Sequence, residues 1–100
     1  MAWLVIANDS ETGPAIRADP RIMDAMWQFE LENRATILVA GSLREDDKVT
    51  KNGGVLLLDV ETREEAEAIL ASDPATKAGL RGEVQIRWLN VAILDKIEQP

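Results

Sequence analysis

Residues 62–79 read TREEAEAILASDPATKAG, and two helix starts within this one run set the pattern for the whole chain. Thr62 and Glu65 have the spacing of a capping box, in which each side chain satisfies a backbone N–H that the first helical turn leaves unpaired. Asp73 followed by Pro74 reads as a second N-cap with proline at the first helical position. Gly79 suits the left-handed conformation that ends this short second helix. Asp73 therefore has two readings: its carboxylate caps a helix, or it faces a pocket and takes part in chemistry.

Upstream of this run, residues 55–60 form an apolar stretch that reads as a strand, preceded by Gly53-Gly54, which closes a charged loop over 44–52. Residues 36–43 are rich in β-formers and read as another strand. Asp19-Pro20 repeats the cap pattern of Asp73-Pro74 and opens a helix running to about Asn33. Ile22, Met26, Phe29 and Ala25 make one apolar face of that helix, with Met23, Trp27 and Leu31 on an adjacent one. Residues 3–7 are a short apolar strand, and 8–19, with Gly13-Pro14, read as a loop. Downstream, 84–94 read as a long last strand. Val84, Ile86 and Trp88 alternate on one phase, and Leu89, Val91 and Ile93 continue on the other. Such a switch means either a bulge or a strand that leaves its sheet and pairs elsewhere. The tail 96–100 is expected to fray.

The order β-α-β-β-α-β predicts an α+β, ferredoxin-like fold, with a four-stranded antiparallel sheet and two helices on one face. Apolar residues occupy both phases of the later strands, so the bare face predicts a homodimer with sheet packed on sheet. One hundred residues bound this to a single domain, 1–100. The net charge of −7 makes nucleic acid and anionic membranes poor partners. No apolar run reaches the roughly 20 residues needed to span a bilayer, and no leader pattern opens the chain, so a cytoplasmic location is expected. There is no cysteine and no histidine. That removes thiolate chemistry, zinc–cysteine sites and the usual haem ligands, and no cofactor is expected. The acids of the loop at 45–47 lack the ligand alternation of a calcium loop and read as a solvated hairpin tip.

The block VAGSL at 39–43, the run NGGVLLLDVETREEAEAILASDPATKAGL at 52–80 and the apolar strand with Ile86, Arg87 and Trp88 together resemble the YciI-like (YCII-related) family, part of the dimeric α+β barrel group. The resemblance runs from about Arg21 to Trp88. It implies a small homodimer with a pocket near the first helix and the Asp-Pro turn, and a His-Asp dyad as the site. The Asp of that dyad falls on Asp73. The His, three residues after an Arg that falls on Arg21, falls on Asp24. Relatives include one that removes chloride from a chlorinated hydroxyquinol-type ring.

The site residues expected on this basis are Asp73 and Asp24 as a catalytic carboxylate pair, with Arg21, Arg87 and Trp88 binding substrate. Two carboxylates sharing a pocket push one pKa upward, so that one serves as acid and the other as base. Arg21 and Arg87 offer bidentate contacts to an anionic group, and Trp88 a face for a ring. Against four of them stands a plainer reading: Asp73 as a cap, Asp24 and Arg21 as solvated helix residues, Trp88 as packing. Two functions follow. One is a cofactor-independent lyase or isomerase acting on a small, aromatic or quinol-like molecule. The other is a non-catalytic module of the same fold that binds a small molecule or a partner.

Overall fold

A computed structural model describes residues 2–100. Strand β1 (Ala2–Asp9) leads through a single-turn helix α1 (Gly13–Arg17) to the long helix α2 (Pro20–Glu32). The hairpin of β2 (Ile37–Arg44) and β3 (Lys51–Leu58) follows, then α3 (Arg63–Ser72), the short α4 (Pro74–Lys77) and β4 (Arg81–Leu89). The four strands form one antiparallel sheet in the order β2-β3-β1-β4. This is the expected α+β, ferredoxin-like arrangement.

The helix ends form where their caps predict. Thr62 accepts from the backbone N of Glu65 at 3.1 Å, and its hydroxyl meets the Glu65 carboxylate at 3.0 Å. Asp19 accepts from Arg21 N at 3.0 Å and opens α2. Asp73 accepts from Ala75 N at 3.1 Å and opens α4. Gly79 has φ +92°, the left-handed geometry that glycine adopts without a Cβ penalty.

One core cluster joins Val5, Leu56 and Leu58 of the sheet to Ala66 and Leu70 of α3, with Trp3, Ile37, Val84 and Ile86 around it. A second joins Ile16, Ala75 and Leu80 to Ile22, Met23 and Met26 of α2. Helix α2 thus rests mainly on α1 and α4. None of its residues is fully buried. It stands off the sheet and leaves a gap beneath it. Because strand side chains alternate between faces, Leu4, Ile6, Val55 and Leu57 point to the side without helices.

Three expectations need correction. The segment 8–19 is not all loop: β1 runs to Asp9, and Gly13-Pro14 opens α1. A single turn is too short to show a helical period. Gly53 and Gly54 do not close the loop but lie inside β3, which begins at Lys51. A Cβ on Gly53 would sit 2.5 Å from the Ala7 carbonyl oxygen, so the glycine serves close strand approach. The last strand does not run to 94. β4 ends at Leu89, and Ile93–Leu94 (β5) pairs with Ile97–Glu98 (β6) in a separate hairpin. The phase switch is therefore a chain leaving its sheet. Asp95 and Lys96 turn the hairpin with φ of 51° and 67°, and Gln99 N donates to Ala92 O at 2.8 Å. Val91, Leu94, Gln99 and Pro100 line a hollow with Leu38 and Asp59, so the tail reaches from the β4 edge to β2.

Candidate functional site

Two bulges decide which charges reach the helix side of the sheet. Between β1 and β4, Ala7 pairs with Val84 but Asp9 pairs with Arg81, so β4 carries an extra residue there. Simple alternation would put Arg81 on the helix-free face with Glu83, Gln85 and Arg87. The extra residue re-aims it to the face of Val84. Between β2 and β3, Leu43 pairs with Gly53 and Arg44 with Lys51, which re-aims Lys51 in the same way.

These side chains gather in a cleft of about 330 Å³ between α2 and the β2–β3 hairpin. Met26, Trp27 and Glu30 of α2 form its roof, and Ala40 to Ser42 and Gly53 to Leu56 its floor. Arg17, Arg44, Lys51 and Arg81 also line it, with Glu30 as the lining acid. In a chain of net charge −7 this is a concentration of positive charge. Asp9 and Asp73 balance Arg17 and Arg81, so among the described residues Arg44 and Lys51 carry the excess charge, whose field favours anions. Trp27 is 55% exposed at the mouth and offers a ring face.

Arg81 is the centre of the site. Its side chain is only 10% exposed, and its Nη2 donates to Asp73 Oδ2 at 3.2 Å. Asp73, 2% exposed, also accepts from Thr76 Oγ1 at 2.9 Å besides the cap bond to Ala75. Asp73 thus does two jobs with one carboxylate: it caps α4 and holds the Arg81 guanidinium. A buried pair of this kind is costly to break from one side, because the remaining charge is left unpaired, at about 3–5 kcal/mol. Arg81 Nε is buried without a hydrogen-bond partner among the described residues. Nη1 lies so close to Gly54 that a Cβ there would meet it at 2.7 Å. A side chain here would crowd the guanidinium and push it from its present place.

Arg17 is tied differently. It donates through Nη2 to Asp9 Oδ1 at 2.9 Å and to Gly53 O at 3.1 Å, binding α1 to β1 and β3. Glu30 is half-buried, and burial raises its pKa above the ordinary 4.5. The Asp73 charge raises it further, while Arg81 acts in opposition.

The residues expected from sequence divide sharply. Asp73 sits behind the cleft and meets it through Arg81. Arg21 is on the outside of α2, its side chain 94% exposed and 3.9 Å from Asp19. Asp24 is exposed, and no described hydrogen bond or ion pair joins it to Asp73. Arg87 is exposed and pairs with Leu4 in the strand register, on the helix-free face. Trp88 packs edge-on to Trp3 with ring centroids 5.2 Å apart, beside a separate hollow lined by Asp59, Val60, Glu61 and Glu65. The structure brings Asp73 together with Arg81, Thr76 and Glu30 instead. Arg81 and Glu30 were missed because their placement depends on a bulge and on the stand-off of α2. The available signal was modest: Glu30 follows Trp27 by three residues and Met26 by four, spacings that make it a neighbour of each on the helix.

The profile of the YCII-related domain matches residues 1–90. Among solved structures the chain is similar to the 5-chloro-2-hydroxyhydroquinone dehydrochlorinase (TftG) from Burkholderia phenoliruptrix, in complex with 2,5-dihydroxybenzoquinone. The TM-score is 0.77 at 24% identity, covering 90% of this chain and 94% of that one. No curated protein matches the sequence. The chain belongs to the YCII-related domain family.

Proposed function

We propose that this chain is a small-molecule enzyme of the lyase or isomerase type, working in the α2–β2–β3 cleft without a bound cofactor. Its substrate is a small planar molecule with acidic oxygens, for which a quinol ring is the type. The observation that carries this reading is the buried Arg81–Asp73 pair opening onto a cation-rich cleft. A guanidinium fixed from behind by a carboxylate is a preorganised donor for an oxygen that gains negative charge, and needs no reorganisation as the charge develops. Asp73 then acts as a positioning residue, and the anion-binding role that sequence gave to Arg21 passes to Arg81. Trp27 supplies the ring contact that sequence gave to Trp88. We also propose that two copies pair through the helix-free face of the sheet.

A second reading has an observation of its own. The chain has no histidine, and Asp73 is already engaged by three donors. Both favour a binding module without turnover.

The test uses 5-chloro-2-hydroxyhydroquinone, the compound in the name of the related dehydrochlorinase, with chloride release followed by electrode. Turnover is expected in the wild type. Asp73→Asn keeps the helix cap and is expected to lower kcat by about tenfold or more, with KM moving less. Binding of 2,5-dihydroxybenzoquinone without chloride release would decide for the binding module. Neither binding nor release would sink the quinol assignment.

A further inference from the structure

Glu30 lines the cleft and has no part in the proposed reaction. Glu30 stands on α2 at the third position after Trp27 and the fourth after Met26, and lines the cleft with both. It makes no hydrogen bond or ion pair among the described residues. The charged groups that face the cleft around it come from every surrounding element: Arg17 from α1, Arg44 from β2, Lys51 from β3, Arg81 from β4, and Asp73 behind Arg81. Two of these act on its titration. Asp73 adds to the effect of burial in favouring the protonated carboxyl, and Arg81 opposes it.

Arg81 has the complementary deficiency. Its Nη2 is taken by Asp73, and its Nε is buried with no partner among the described residues. Nη1 has no partner among the described hydrogen bonds and lies against Gly54 in the cleft floor. The acid and the guanidinium line the same cleft, yet no ion pair closes between them. An under-satisfied guanidinium and a half-buried unpaired acid thus line one cleft without an ion pair between them.

We propose that Arg81 and Glu30 form a split receptor for a planar oxyanion. Arg81 holds the anionic oxygen, and Glu30 takes up a proton from solvent when the anion enters and donates it in a hydrogen bond to the ligand. This rests on reading the cleft as the substrate site, and sharpens the substrate class to a planar monoanion with a hydrogen-bond acceptor near its charged oxygen. The linkage follows from charge. An anion placed beside Glu30 disfavours its carboxylate, so ligand and proton bind together. Affinity must then fall as pH rises across the interval between the free and the ligand-bound titration of Glu30, by at most about tenfold per pH unit for one proton.

Benzenesulfonate is a suitable probe, because it carries a planar ring and an oxyanion that stays ionised throughout. The full chain is titrated calorimetrically near pH 6 in buffers of different ionisation enthalpy, which reads proton uptake directly. The wild type is expected to take up a fraction of a proton per ligand and to bind more weakly as pH rises. Glu30→Gln is expected to bind with no uptake and a flat pH profile. Glu32→Gln, an exposed acid on the same helix, is expected to keep the wild-type uptake. Equal uptake by wild type and Glu30→Gln overturns the proposal, as does absence of binding by the wild type. Linked proton uptake without chloride release from the chlorinated quinol leaves the receptor standing and removes only the catalytic reading.

Discussion

Glu30 shows how little of a site can be legible in the residue that serves it. In sequence it is one acid among several on a capped helix, like Asp24 and Glu32. Its character comes from α2 standing over the β2–β3 hairpin, which no local pattern announces. The consequence for stability has a definite sign. Burial holds the folded-state pKa above the usual 4.5, so the folded chain binds this proton more tightly than the unfolded chain does. The stability linked to Glu30 is fully present below about 4.5 and is lost as pH rises through the raised folded value. Glu30→Gln removes that loss. Its melting temperature by calorimetry is expected to match the wild type in acid and to exceed it at neutral pH. A lower value at neutral pH would mean that an attractive contact holds the carboxylate. Asp73 is the contrasting case. Its cap role is readable from Asp-Pro alone, whereas its pairing with Arg81 is not. An arginine eight residues later carries no signal that it folds back.

At the level of elements, local chemistry was legible and inter-strand chemistry was not. Thr62, Asp19, Pro20, Asp73 and Gly79 act within a few residues of themselves as their types and spacings indicate, while the Glu65 carboxylate accepts from the Thr62 hydroxyl and not from its backbone N–H. Gly53-Gly54 look the same as turn glycines, yet their reason lies across the sheet, in the Ala7 carbonyl and the Arg81 guanidinium. The bulges are invisible for the same reason: each depends on the register of a partner strand. This gives a contrast that separates crowding from strand propensity. A Cβ at Gly54 meets Arg81 Nη1 at 2.7 Å, while a Cβ at Gly41 meets nothing within 4 Å. Gly54→Ala is expected to lower the unfolding free energy by about 1–3 kcal/mol, as overpacking does. Gly41→Ala is expected to be neutral or mildly stabilising, since alanine loses less backbone entropy. Urea denaturation of the two variants reads the difference, and equal effects would show that Arg81 moves aside freely.

For the whole molecule, topology was the most legible feature, because the element order and right-handed crossovers leave few alternatives. The destination of the chain after Leu89 was half legible: the phase switch showed that something changes, and the hairpin of β5 and β6 shows what. The paired state proposed above belongs at this scale. Val39 lies opposite Leu57 in the register, on the helix-free face, and is 46% exposed. Val39→Lys places a charge in the proposed sheet-on-sheet contact without touching the core. It is expected to convert a dimer to a folded monomer by sedimentation. A wild type that already sediments as a monomer would end the pairing proposal. The contact between Gly54 and Arg81 has a further consequence, for the reading of other sequences. The two positions behave as one linked pair of letters. A relative with a side chain at the position of Gly54 is expected to hold a guanidinium at that of Arg81 in another place, or to carry its cleft charge on another strand. Relatives are therefore expected to sort into two chemical lineages by this pair, whatever their overall similarity.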